Sequence, residues 1–189
     1  MKITPTQIAD VLLLEPRVLE DSRGYFMETF RLDALHAALG FQVGFVQDNE
    51  SCSRCGVLRG LHYQLPPFAQ SKLVRVVAGC VLDVAVDIRR ESPTFGACVS
   101  TELSAENKRQ IFIPRGFAHG FVVLSEVAVV QYKVDNYYSS KSDRGIVYND
   151  PHLGIDWRLP ADQLLLSDKD SHQPSLKEAE LFPAENLYE

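Results

Sequence analysis

Short apolar runs rich in β-branched and aromatic residues recur along the chain. They fall at 11–14, 25–30, 43–46, 57–64, 73–77, 81–88, 97–103, 110–113, 116–124 and 127–134, with Gly, Pro, Ser and Asn between them. Runs of this length and composition form strands, and their close spacing predicts a mainly β fold, a sandwich or jelly-roll barrel with a few short helices. Ala78-Gly79, between two such runs, reads as a tight hairpin. Helix is predicted only twice, over Arg31 to Leu39 with Gly40 as its stop, and after Ser175-x-x-Glu178, a capping-box pattern opening a short terminal helix.

Period two then assigns faces, because successive strand residues point to opposite sides of a sheet. In Val81 to Ile88, Leu82, Val84, Val86 and Ile88 form a wholly apolar face and leave Asp83 and Asp87 on the other. In Val127 to Val134, Tyr132 shares its face with Ala128, Val130 and Val134, so it points inward. An inward tyrosine is either a core residue with one hydrogen-bond partner or a functional phenol.

Composition narrows the class without naming a function. The chain has 189 residues, 46% hydrophobic and 23% charged, which is ordinary globular usage and fits one domain spanning residues 1–189. Nineteen Lys and Arg against 25 Asp and Glu give a net charge of −6, so nothing favours nucleic acid or an anionic membrane as partner, and an anionic ligand requires a local basic cluster. No signal-like or membrane-spanning apolar stretch is present, and cysteines occur only at 52, 55, 80 and 98; both point to the cytoplasm. Cys52-x-x-Cys55 lacks the second pair that a structural zinc site commonly needs and reads as a loop with two free thiols.

Chemistry concentrates in two segments. Leu58-Arg59-Gly60-Leu61-His62-Tyr63-Gln64 is followed by Lys72 and Asp83; a strand histidine beside a carboxylate can act as a general base. Arg59 and His62 would face opposite ways in a regular strand, so both serve one cavity only if Gly60 marks a bulge. Pro114-Arg115-Gly116-Phe117-Ala118-His119-Gly120 matches the P-x-G-x-x-H element of the cupin jelly roll, but the H-x-H pair that begins a cupin metal site is missing, since Gln64 stands where its second histidine would be. No metal is expected. His36, His152 and His172 lie near presumed turns and are expected to face water.

With these motifs go Asp21-Ser22-Arg23-Gly24-Tyr25-Phe26-x-Glu28, Phe45-Val46-Gln47-Asp48-Asn49, Lys72-Leu73-Val74-Arg75-Val76, Ser92-Pro93-Thr94-Phe95-Gly96, Asn136-Tyr137-Tyr138 and Leu166-Ser167-Asp168-Lys169-Asp170. From about Val11 through Pro174 the chain resembles the dTDP-4-dehydrorhamnose 3,5-epimerases, a cupin family that needs no metal or other cofactor.

The resemblance implies a cupin-type jelly-roll barrel and epimerisation of a dTDP-linked 4-keto-6-deoxy sugar through an enolate. It implies that His62 takes the proton, that Asp83 and Asp170 hold and polarise it, that Tyr132 returns a proton from the opposite face, and that Lys72 stabilises the enolate oxygen. Arg59, His119 and Arg23 would bind the diphosphate and Tyr138 would stack on the thymine. Gln47, Asp48, Asn49, Glu28, Asp143 and Lys169 would hydrogen-bond base and sugars. Asp143 stands where the family commonly has Glu. Arg23, Phe26 and Glu28 would cross a homodimer interface on exchanged N-terminal strands. Relatives that invert one carbon, or act on other nucleotide sugars, share the catalytic set, so a mono-epimerase is the alternative.

Overall fold

The computed structural model describes residues 1–181 and 187–188. Two antiparallel sheets face each other. The six-stranded sheet runs β1 (Lys2–Pro5), β2 (Leu12–Glu15), β10 (Gln110–Ile113), β7 (Lys72–Ala78), β12 (Val127–Val134) and β5 (Gln47–Arg54). The five-stranded sheet runs β13 (Asp143–Gly145), β6 (Leu58–Gln64), β11 (Phe117–Val123), β8 (Cys80–Asp87) and β9 (Cys98–Ser104). The predicted β jelly roll is thus observed. A separate hairpin, β3 (Val18–Asp21) with β4 (Gly24–Met27), carries the exposed side chains of Leu19, Tyr25 and Phe26. The helices are α1 (Leu32–Leu39) and the one-turn α2 (Asp168–Ser171).

Apolar side chains form three layers. Between the sheets lie Val74, Val76, Val81, Ala85, Phe117, Phe121, Ala128 and Val130, with Tyr132 packed against them. On the outer side of the five-stranded sheet, Leu82, Val84, Val86 and Ile88 meet Ile146, Leu153, Trp157 and Leu176. On the outer side of the six-stranded sheet, Leu12, Leu14, Leu73 and Phe112 are covered by Leu35 of α1 and by Phe30 and Phe45. The wholly apolar face of β8 therefore looks away from the barrel interior, and Asp83 looks into it. Burial of both faces of β8 and β11 contributes to the non-directional driving force, at roughly 25 cal/mol per Å² of apolar surface.

Local structure departs from the sequence expectation where pairing outweighs hydrophobicity. The apolar run Val43–Val46 is not a strand. The strand is the polar segment after it, β5, held along its length by β12 from Gln47↔Val134 to Arg54↔Val127. Its inward residues face the polar end of the barrel interior, so the period of two is real but carries no apolar signal.

Ala78-Gly79 is not a hairpin. β7 pairs with β10 and β12, and β8 pairs with β11 and β9, so the turn passes the chain from one sheet to the other. Gly79 has φ +74°, and a Cβ there would lie 2.0 Å from the Val127 carbonyl oxygen, which requires glycine at this corner.

Helix α1 forms as predicted. Gly40 closes it in the left-handed conformation, donating its N–H to the His36 carbonyl. His36 is not a solvated histidine, because its Nε2 meets the backbone of Val43 at 2.8–3.0 Å and pins the loop after the helix. At Ser175 the capping-box contact exists, with the Ser175 hydroxyl donating to Glu178 at 2.8 Å, but only one turn follows through Ala179. Any further extent of the predicted terminal helix past Leu181 lies largely outside the described residues.

The register between β6 and β11 shifts at one point. His62 pairs with His119 and Arg59 with Phe121, so Gly60 and Leu61 together oppose the single residue Gly120. This is the bulge that a cavity shared by Arg59 and His62 requires. Gly60 has φ +125°, and a Cβ there would sit 2.5 Å from the Gly120 Cα and 2.7 Å from the His119 carbonyl oxygen. Gly60→Ala is expected to destabilise the fold by about 2–4 kcal/mol through backbone strain and overpacking. Gly44→Ala, where a Cβ meets nothing within 4 Å, is the near-neutral control; urea denaturation of both variants measures the difference.

Candidate active site

Because of the bulge, Arg59 and His62 serve one cavity. A cleft of about 440 Å³ at the end of the barrel is lined by Arg59, His62, Lys72, His119, Tyr132, Lys169 and Asp170, together with Ser51, Arg54, Phe121 and the segment Leu165–Ser167. It adjoins a second cleft of about 190 Å³ that shares His62, Lys72, Tyr132 and Lys169 and adds Gln47, Asn49, Gln70, Tyr138 and Asp143. The histidine comes from the five-stranded sheet; the tyrosine and the lysine come from the six-stranded sheet facing it. A ligand in the shared space is approached from two walls.

The polar partners fix each group. Asp170 accepts a short hydrogen bond from His62 Nε2, and α2 holds that carboxylate in place: Ser167 Oγ caps the helix by accepting the Asp170 N–H at 3.1 Å. With Nε2 committed, Nδ1 is the basic nitrogen of His62. Burial works to raise the Asp170 pKa, but the hydrogen bond and charge of His62 and the Ser167 contact outweigh it, so this carboxyl titrates below its usual range.

Asp83 does not contact His62. It accepts from His119 Nε2 at 2.8 Å, because β8 pairs directly with β11 and not with β6; its other oxygen, Oδ1, is buried without a partner. His119 is buried, which pushes its pKa down despite the opposing pull of Asp83. The interior thus contains two histidine–carboxylate pairs where the sequence led to a single histidine shared by two carboxylates.

Lys72 opens β7 and directs its Nζ to the His62 carbonyl at 3.4 Å. Burial brings its pKa down to about 8, against the raising influence of Asp83 and Asp143. Burial pushes the Tyr132 phenol up, with Arg59 opposing, so Tyr132 holds its proton at neutral pH. The site therefore contains a neutral phenol able to donate, an imidazole able to accept, and an ammonium lining the same cleft.

Around the second cleft, Asp143 accepts from Tyr138 OH at 3.0 Å and forms a short ion pair with Lys169. Arg59 Nε donates to Ser53 Oγ at 3.1 Å, which orients the guanidinium. Ser51 and Ser53 were missed by sequence reasoning. The signal was available, since they follow Gln47 and Asn49 at a spacing of two on β5.

The same alternation removes Asp48 from the cleft. It points to the outer side of β5 and pairs with Lys133 at 3.0 Å. Arg23, Phe26 and Glu28 line neither cleft of their own chain; Arg23 forms an exposed ion pair with Asp21 on the β3–β4 hairpin. Cys52 lies on β5 rather than in a loop, and both it and Cys55 are exposed free thiols. Among the described residues no group of three or more His, Cys, Asp or Glu side chains is placed to hold a metal ion, and no helix is long and apolar enough to cross a membrane.

Known proteins share this arrangement at the level of the whole chain. Residues 5–178 match the family model described as dTDP-4-dehydrorhamnose 3,5-epimerase. The chain is 54% identical over 182 residues to the dTDP-4-dehydrorhamnose 3,5-epimerase of Shigella flexneri, covering 96% of this chain and 99% of that one. It is 55% identical over 183 residues to that of Pseudomonas aeruginosa, covering 97% and 100%. The crystal structure of dTDP-6-deoxy-D-glucose-3,5-epimerase from Legionella pneumophila, in complex with dTDP-4-keto-L-rhamnose, superposes with a TM-score of 0.93 at 49% identity and covers 98% of each chain. A 3'-monoepimerase from Streptomyces bikiniensis, solved with dTDP-quinovose, is more distant, at 34% identity, a TM-score of 0.85, and 92% of this chain and 87% of that one. With a jelly roll, a histidine and a tyrosine on facing sheets, a family model matched over residues 5–178, and identity above half to the Shigella flexneri and Pseudomonas aeruginosa relatives, the chain belongs to the dTDP-4-dehydrorhamnose 3,5-epimerase family.

Proposed function

We propose that the chain is an isomerase that inverts carbons 3 and 5 of dTDP-4-dehydro-6-deoxy-D-glucose to give dTDP-4-dehydro-β-L-rhamnose. The observation that carries this reading is the placement of His62 and Tyr132 on opposite walls of one cleft. Inversion requires a proton to leave one face of the ring and return on the other, and a single base would restore the starting configuration. The relatives with about half their residues in common bear the 3,5-epimerase name, whereas the mono-epimerase is more distant, which favours the double inversion over the single one.

In this mechanism His62 Nδ1 removes the proton next to the carbon 4 ketone. Asp170 stabilises the imidazolium that forms. Lys72, a preorganised cation on the wall of the cleft, stabilises the enolate oxygen as its charge develops. Tyr132 donates to the opposite face; His62 then gives its proton to solvent and Tyr132 regains one from it, and the restored pair repeats the step at the second carbon. Arg59 and His119 bind the diphosphate, with Asp83 orienting the His119 ring; forked guanidinium donors suit phosphate oxygens. Tyr138 stacks on the thymine, and Gln47, Asn49, Asp143 and Lys169 hydrogen-bond base and sugars.

We take the protein to be cytoplasmic, and the exposed apolar side chains on the β3–β4 hairpin support a homodimer. In it the hairpin of one subunit crosses to the other and brings Arg23, Phe26 and Glu28 to the partner's cleft.

Incubation of the purified protein with dTDP-4-dehydro-6-deoxy-D-glucose, followed by NMR of the nucleotide sugar, tests the reading; a product inverted at both carbons is expected, and recovery of unaltered substrate contradicts it. His62→Asn is expected to lower kcat on the order of 10³-fold while leaving dTDP affinity unchanged, measured by calorimetry, because the imidazole acts on the sugar and not on the nucleotide. The depressed Lys72 sets the pH dependence. Its ammonium is the active form, so kcat/KM falls as pH rises through about 8. Lys72→Arg retains its charge above that pH, so whatever activity it has is expected to lose this alkaline limb.

A further inference from the structure

Away from both clefts, a polar node joins three strand ends, buried at Ser71 and at the Asp135 side chain and 38% exposed at Tyr188. Ser71, fully buried, immediately precedes Lys72; its N–H donates to Asp135 Oδ1 at 2.6 Å, and its hydroxyl lies 2.8 Å from the hydroxyl of Tyr188. Asp135, just beyond the end of β12, accepts from Arg115 Nε at 3.0 Å, and its side chain is 3% exposed. Arg115 lies between β10 and β11, donates its backbone N–H to Tyr188 OH at 3.0 Å, and donates from its guanidinium to the Leu187 carbonyl at 2.8 Å. The Tyr188 ring is held between Phe41, at 4.5 Å between centroids, and the Arg115 guanidinium at 5.1 Å.

Each strand end in the node leads to a residue of the cleft: Ser71 to Lys72, Asp135 back along β12 to Tyr132, and Arg115 forward along β11 to His119. Tyr188 itself lines a separate cavity of about 290 Å³ that shares no residue with either cleft, so it can act only through its neighbours. A buried polar network that is fully satisfied holds its members in one arrangement. Remote misplacement of a reacting group by a fraction of an ångström is costly, because catalysis depends on alignment.

We propose that Tyr188 is a positioning residue whose hydroxyl clasps Ser71 and the Arg115 backbone, fixing the strand ends that carry Lys72 and Tyr132, whereas His119 is held in place by Asp83. The proposal rests on the epimerase reading of the cleft. The groups that face the Lys72 ammonium, namely His62 from β6, Asp83 from β8, His119 from β11 and Asp143 from β13, are not among the hydrogen-bond or ring partners of Tyr188. Any change in Lys72 on altering Tyr188 therefore reports on its placement.

Tyr188→Phe removes only the hydroxyl, and Ser71→Ala removes its partner from the other side. For both variants kcat is expected to fall roughly 10-fold with dTDP affinity unchanged. The titration midpoint of Lys72, followed by NMR of [13C]lysine-labelled protein and assigned with Lys72→Arg, is expected to move up as water reaches the loosened strand end. The double variant is expected to lose no more than the worse single one, since both cut the same contact. Parental kcat, an unmoved Lys72 titration, or a kcat loss matched by an equal loss of dTDP affinity overturns the proposal. Failure of the epimerase reading is distinguishable, because it leaves the parent protein itself inactive in the same assay.

Discussion

The register shift opposite Gly120 is the constraint on which the site depends. A regular β6 would send Arg59 and His62 to opposite faces of the five-stranded sheet, separating the guanidinium from the imidazole. Two residues set against one turn both into the same cleft. Gly60 and Gly120 permit this by bringing two backbones closer than any side chain allows. Once His62 faces the interior, the jelly roll supplies the rest, because the opposing sheet presents Tyr132 and Lys72 across the gap.

Charge is arranged on the same principle of local opposition to a global trend. The chain carries a net charge of −6, yet Arg54, Arg59, Lys72, His119 and Lys169 converge on one cleft. The carboxylates nearest them are committed: Asp170 to His62, Asp83 to His119, and Asp143 to Tyr138 and Lys169. Interior placement also sets protonation. Burial keeps Tyr132 protonated and brings Lys72 down to about 8, conditions under which a phenol can donate and an ammonium can respond to charge that appears only during the reaction.

Much of this was legible in the sequence wherever apolar periodicity or glycine chemistry carried it. The strands from β6 to β12, helix α1 with Gly40, the inward face of Tyr132 and the bulge at Gly60 all follow from residue type and spacing. Legibility ended where pairing partners decided the outcome. β5 carries polar residues on both faces because its inner side lines the ligand cavity, so the apolar run before it drew the assignment. The same strand gives Asp48 an outward position although Gln47 and Asn49 face in. Asp83 shares its cavity with two histidines, and only the adjacency of β8 to β11 selects His119. No short-range rule distinguishes a hairpin from a corner at Gly79, since both demand a glycine with positive φ. The clasp at Ser71 joins residues more than a hundred positions apart and has no local signature.

The central claim is that the proton leaves on the side of His62 and returns on the side of Tyr132. The most direct measurement incubates the parent protein and Tyr132→Phe with dTDP-4-dehydro-6-deoxy-D-glucose in deuterated water and locates the label and the configuration by NMR. The account predicts deuterium at carbons 3 and 5 with inversion at both for the parent; for the variant it predicts exchange with configuration largely retained. A variant that inverts as fully as the parent, or a parent that inverts without taking up solvent deuterium, would contradict it.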